Sequence, residues 1–156
     1  MATALTLKQY LTRIGVEYDV IRHPPTTTSL WTAEESHVSA ERLAKAVVLK
    51  DGDDYLLAVL PASHHLEIRE LESYLNRHVE LASEAETEEI FTDCALGAIP
   101  PMGEAYGLET LIDDQIAGQP DIYFEAGDHE TLVHVPRQTF ERLTKGAFHG
   151  RFSVHN

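Results

Sequence analysis

The sequence contains a single cysteine, Cys94, so neither an internal disulfide nor an all-cysteine metal site can form. No run of 18 apolar residues occurs, which removes a membrane-spanning helix. The opening stretch, MATALTLKQYLTRIG, lacks the basic start, long apolar core and small-residue cleavage site of a secretory signal, so a cytoplasmic location is expected. Cations are scarce: 12 Lys and Arg stand against 26 Asp and Glu, a formal net charge of −14. A broad grip on a phosphate backbone needs clustered cations, so neither DNA binding nor a large nucleic-acid interface is expected. Contact with a short nucleic-acid end is still allowed. There is no G-x-S-x-G elbow, Walker loop or dinucleotide-binding glycine pattern. Nine histidines are present, but His64-His65 are adjacent and no H-E-x-x-H spacing appears, so neither a metal site nor a cofactor is expected.

What is present reads as one folded domain. With 43% hydrophobic residues over 156 positions, the chain can bury a core without staples. Thr6-Leu7-Lys8-Gln9 has the form of a capping box, opening a helix with Leu7, Tyr10, Leu11 and Ile14 inside and Gly15 at its stop. Glu17 to Arg22 alternates toward a short strand. Thr32-Ala33-Glu34-Glu35 predicts a second capped helix ending near His37, with another helical turn from Ser39. Residues 44–50 and 55–60 are β-rich and joined by Asp51-Gly52-Asp53-Asp54, a hairpin signal. Residues 66–77 predict an amphipathic helix with Leu66, Leu71, Tyr74 and Leu75 inward, and 78–81 a short strand. Ser83 opens an acidic helix to about Ile90, whose run Glu84 to Glu89 reads as a solvated face. A strand at 108–112, a turn from Asp113 and a hairpin of 121–125 with 131–135 follow. Pro136 suits the first turn of a last helix carrying Phe140 and Leu143. Strands and helices interspersed in this way give a mixed α/β class with a largely antiparallel or mixed sheet.

Three stretches could carry chemistry. Lys45 opens an apolar strand and shares a face with Val47 and Leu49. It either snorkels at the strand's start or is aimed into a cleft as a point charge. LGAIPPMG, residues 96–103, combines glycines that permit close approach with prolines that lack N–H donors but keep their carbonyls. That loop is either a rigid connector or the wall of a site. Cys94 reads as a small buried hydrophobe and a poor nucleophile.

Lys45 in RLAKAVVLK, Gly97 to Pro101 in GAIPPMG, and Gly127-Asp128-His129 occur in that order downstream of RHPPTTT. Together they resemble the YbaK/prolyl-tRNA-synthetase-associated (INS-like) domain family of trans-editing aminoacyl-tRNA deacylases, from about His23 to about Leu143. The resemblance implies a twisted, partly barrel-like mixed sheet flanked by helices, one domain over 1–156. It implies metal-independent hydrolysis of the ester joining a small amino acid, such as alanine or cysteine, to a mischarged tRNA, commonly tRNA(Pro). Carried over, the catalytic positions are Lys45, Gly97 and Pro101. The substrate-binding positions are Ala46, Ala98, Ile99, Pro100, Met102, Gly127, Asp128 and His129, with Ile99 and Met102 sizing the pocket. The implied partner is the acceptor end of a mischarged tRNA, and an aminoacyl-tRNA synthetase or translation factor is a candidate protein partner. One departure stands out: the family often has Asn or Thr after the lysine, where this chain has Ala46. That departure and the acidic charge motivate an alternative, a non-catalytic module of the same fold that binds a tRNA end, an amino acid or a protein.

Overall fold

The computed structural model describes residues 3–156. It begins with helix α1 (Leu5–Ile14), strand β1 (Asp19–Arg22) and helix α2 (Ser29–Glu35). Strands β2 (Leu43–Asp51), β3 (Asp54–Pro61) and β4 (His64–Leu66) precede helix α3 (Ile68–Leu75), strand β5 (Glu80–Leu81) and helix α4 (Glu84–Ile90). After a long loop and one 3-10 turn (Gly103–Tyr106) come β6 (Glu109–Asp113), α5 (Asp114–Ala117), β7 (Asp121–Glu125) and β8 (Thr131–Pro136). The chain finishes with α6 (Arg137–Leu143), β9 (Phe148–Gly150) and β10 (Ser153–His155).

The main sheet has eight strands in the order β1-β8-β7-β2-β3-β6-β9, with β5 pairing beside β2. It is mixed: β2–β3 and β7–β8 are antiparallel hairpins, whereas β2–β7, β3–β6 and β6–β9 are parallel. Its edge strands β1 and β9 do not pair with each other, so the barrel-like character stops short of closure. A separate two-stranded sheet joins β4 to β10.

Alternation along the strands sorts the core between the two faces. Ala44 and Val48 of β2 join Val59, Ile122, Phe124 and Val133 in one large cluster, covered by Leu7, Tyr10 and Leu11 of α1 and by Phe140 and Leu143 of α6. On the other face, Leu49, Leu56 and Leu111 pack on Leu71 of α3 and on Phe152. Beside them Leu43 and Leu132 pack on Ala33 of α2. Each fully buried Leu or Phe contributes roughly 1.5–3 kcal/mol, which is what fixes the register of strands this short.

Several local expectations need correction. Thr6 caps nothing; it lies inside α1, and its N–H donates to Asp93 Oδ2 at 2.8 Å. The second helix is capped by Thr28, whose hydroxyl accepts from the Trp31 N–H, and so starts before the expected Thr32 box. From Ser39 there is a turn, closed by Arg42 N–H to the Ser39 carbonyl, and no helix. Leu66 belongs to β4, and Tyr74 is 55% exposed rather than inward. The first error comes from extending the α3 periodicity past its N-terminus; Tyr74 lies within α3 but on its exposed side. Ser83 does form a capping box with Glu86, and Gly15 stops α1 in the left-handed conformation.

Candidate functional site

Three loops meet at one end of the sheet. The segment after β1 is tied to the β7–β8 turn by His23 N–H to the Glu130 carbonyl at 2.9 Å and Thr26 N–H to the His129 carbonyl at 3.3 Å. The loop after α4 reaches the same turn through Ala95 N–H to the Gly127 carbonyl at 2.8 Å. Asp128 shapes the turn from within, accepting from Glu130 N–H at 3.0 Å and from the Thr131 hydroxyl at 2.9 Å. His129 is thereby held at φ +61°, a left-handed conformation that a non-glycine residue adopts at a cost.

Gly97 sits where the loops touch. Its φ is +82°, and a Cβ built there would lie 3.1 Å from His129 Cε1 and 3.1 Å from the Thr27 carbonyl oxygen. Gly127 is equally confined at φ +107°, with a Cβ position 2.9 Å from Ala4 Cβ and 3.3 Å from Cys94 Sγ. The fold therefore brings Gly97, Gly127, Asp128 and His129 together with the RHPPTTT segment. Cys94 lies behind them, half-buried 3.3 Å from the Tyr106 hydroxyl, and burial pushes its thiol up to about 12.

Lys45 lies on β2, the strand that pairs in parallel with β7 through Leu43 with Tyr123 and Ala44 with Phe124. Its Nζ donates to the His64 carbonyl at 2.5 Å. His64 is itself anchored: its Nδ1 is 3.0 Å from Ser153 Oγ, and that hydroxyl donates to Asp113 Oδ2 at 2.9 Å. With the Ser153 proton given to the carboxylate, His64 Nδ1 is the donor of its own bond. Partial burial without a neighbouring anion lowers the Lys45 ammonium below the usual lysine value.

The remaining expected positions divide by face. Lys45 points to the side of β2 that carries Leu43, whereas Ala46 packs on the opposite side against the core cluster holding Ile99 and Met102. Met102 is 1% exposed and Ala98 fully buried, so neither presents a side-chain surface to a ligand here. Ile99 is buried in the same cluster. Pro100 is buried, and Pro101 lines a cavity of about 210 Å³ with Glu104, Leu143 and Ala147, a cavity whose walls do not include Lys45. The GAIPPMG loop thus has two sides, with Gly97 against His129 and Pro101 toward α6.

Two residues that sequence reasoning passed over belong to the junction. Glu125 is 3% exposed, and His23 Nε2 lies 3.5 Å from its Oε1. Neither Glu125 oxygen nor His23 Nε2 has a hydrogen-bond partner among the described residues, and His129 Nδ1 is likewise unpartnered. Burial, then the nearby Asp128 charge, raises the Glu125 carboxyl to about 8. The available signal was a lone acid ending an apolar run two residues before Gly-Asp-His, in FEAGDH. Among the described residues no group of three or more His, Cys, Asp or Glu side chains is placed to hold a metal ion. No helix among them is long and apolar enough to cross a membrane.

A family model described as an aminoacyl-tRNA editing domain matches residues 23–143. No curated protein matches the chain. Among solved structures, the chain resembles a candidate trans-editing enzyme for prolyl tRNA synthetase, with a TM-score of 0.86 at 19% identity over 99% of this chain and 98% of that one. A hypothetical protein gives a TM-score of 0.84 at 19% identity, covering 96% and 99% of the two chains. A candidate signal transduction protein from Marinobacter aquaeolei VT8 gives 0.79 at 19% identity, with 96% of this chain matching only 30% of that longer one. At these identities the structural likenesses establish a shared fold.

Proposed function

The chain belongs to the aminoacyl-tRNA editing domain family, and from that membership we propose that it hydrolyses the ester joining a small, wrongly attached amino acid to tRNA. The observation that carries this reading is the convergence of Gly97, Thr27 and His129 at one junction, at the end of the strand, β7, that pairs with the Lys45 strand. An aminoacyl ester is already reactive, so the protein need only position it, admit a water and stabilise the developing oxyanion. Lys45 supplies positive charge in a partly desolvated setting, where a charge acts more strongly than in water. The backbone around Gly97 holds the aminoacyl group, and the neighbouring ribose hydroxyl assists the attacking water.

The size of the amino acid is taken from the resemblance to trans-editing deacylases that act on small residues; the 3.1 Å contacts around Gly97 hold that loop against His129 and Thr27. Alanine and cysteine are accordingly the first substrates to test, on tRNA(Pro) among others, with prolyl-tRNA synthetase as the natural supplier of such errors. A net charge of −14 fits a contact confined to the acceptor end.

The hydrolytic reading is favoured over a binding module by the placement of Ala46. Ala46 packs into the core on the face opposite Lys45, so an apolar residue there removes no polar group from beside the ammonium. The test is a deacylation panel of Ala-, Cys- and Ser-charged tRNAs with wild-type protein and Lys45→Ala. Loss of one oxyanion-stabilising charge lowers such rates by ~10²–10³-fold. Wild-type rates in a folded Lys45→Ala protein remove the role given to Lys45, and a panel bound but never hydrolysed removes the enzymatic reading.

A further inference from the structure

We infer that Glu125 and His23 form the receptor for the α-ammonium group of the aminoacyl ligand. This rests on the proposed use of the junction and names the partner of one group on its substrate.

The hydrogen-bond inventory of the pair is incomplete in an informative way. His23 Nδ1 lies 2.8 Å from the Pro24 carbonyl oxygen, which can only accept, so Nδ1 carries the ring proton. In the neutral ring Nε2 is then an acceptor, and it faces a carboxyl oxygen, also an acceptor, at 3.5 Å. The second Glu125 oxygen faces no donor among the described residues. Two buried acceptors facing each other are costly unless a proton or a multiple donor enters between them. A single proton satisfies one line between them and leaves the other carboxyl oxygen bare. A primary ammonium brings three N–H donors and a positive charge, enough for both carboxyl oxygens and Nε2 together.

The surroundings favour a cation from the ligand over one from the protein. The Lys45 ammonium is committed to the His64 carbonyl, and the charge that acts on the Glu125 carboxyl is the negative Asp128, from the turn. His129 approaches from the same turn with its Nδ1 unpartnered. The pair also lies where its ligand requires it. Glu125 precedes the Gly127 turn by two residues, and His23 is bonded through its N–H to Glu130 within that turn. In an aminoacyl ester the α-nitrogen is two bonds from the carbonyl carbon that water attacks, so a receptor for the ammonium fixes that carbon closely as well. In the free protein the pair holds a proton, consistent with the raised Glu125 carboxyl, and the incoming ammonium displaces it to solvent.

The test uses 3′-deoxy-3′-(L-alanylamino)adenosine, an amide analogue with a free α-ammonium, and its N-acetylated form, which lacks that charge. Calorimetric Kd values are measured for wild type and Glu125→Gln, a substitution that preserves shape and removes the ionisable group. Wild type is expected to prefer the free amine at least tenfold, and Glu125→Gln to lose that preference by weakening amine binding alone. Equal wild-type affinities for the two analogues, or an undiminished preference in Glu125→Gln, overturn the assignment. Should Glu125→Gln not fold, wild type alone decides. The buffer dependence of the binding heat at neutral pH must show proton release with the amine and none with the acetylated form; equal heats overturn the assignment. Amine preference in a protein that hydrolyses no charged tRNA leaves the receptor standing and removes the deacylase. Hydrolysis without amine preference does the reverse.

Discussion

Gly97→Ala separates two costs that are usually confounded. The residue sits at φ +82°, where an L-side chain costs about 1–2 kcal/mol. The new Cβ also meets His129 Cε1 and the Thr27 carbonyl, each at 3.1 Å, so one of two loops must give way by a few tenths of an ångström. Gly52, in the β2–β3 turn, supplies the control: its φ is +61° but a Cβ there has nothing within 4 Å. Both substitutions share the same gain from a stiffer unfolded chain, about 0.4–1 kcal/mol, which cancels in the comparison. The positive-φ strain cancels as well, so Gly97→Ala should be the less stable of the two by the crowding alone, about 1–2 kcal/mol. For a chain of this length that is a difference of about 2–8 °C in Tm, measured by thermal melts monitored by circular dichroism. Deacylation of Ala-tRNA should fall at least tenfold in Gly97→Ala and stay at wild-type rate in Gly52→Ala, because only the first moves the loops around His129. Equal Tm values together with equal rates would refute the claim that Gly97 marks a tight junction at the site.

Two further outcomes follow from buried carboxyls. Glu125 has its native value raised from 4.5 to about 8, so the protonated form is favoured by folding: its contribution is complete below about pH 4.5 and is lost as pH rises to 8. At about 1.4 kcal/mol per tenfold the loss is at most about 5 kcal/mol, and melts from pH 5 to 8.5 should show wild type losing more stability than Glu125→Gln; parallel curves contradict the burial argument. Asp113 is fully buried and accepts from Gln115 N–H at 2.8 Å, Phe152 N–H at 2.9 Å and the Ser153 hydroxyl at 2.9 Å. Asp113→Ala leaves those donors unpaired and should cost about 2–4 kcal/mol in denaturant titrations, loosening β10 and with it the His64 carbonyl that holds Lys45; a cost below 1 kcal/mol contradicts it.

Much of the local structure was legible because its causes are local. The β2–β3 hairpin is written in two β-rich runs and an Asp-Gly turn. The Ser83–Glu86 box and the Gly15 stop are complete within a few residues. The same locality misled at α2. The Thr32 box predicts a start at that residue, whereas Thr28 caps the helix, leaving Ala33 inside it to pack with Leu43 and Leu132. The three-residue strands β4, β9 and β10 have too few positions to show a period, and they exist because the sheet and the chain end bring partners to them.

The order of motifs along the chain was enough to indicate the family and to select Lys45, Gly97 and the Gly-Asp-His turn as the residues to examine. It could not say on which side of β2 each expected residue would lie relative to the loops. Lys45 and Met102 part company because alternation and core packing send them to opposite faces. Nor could it pair His23 with Glu125, which meet because β1 pairs antiparallel with β8 and the turn after β7 folds back against the segment that follows β1. Caps, turns and strand periods are short-range effects that any stretch of chain carries with it. Which distant strands become neighbours, and which buried acceptor is left without a donor, depends on the free energy of the whole packed core, and that exists only once the chain has closed on itself.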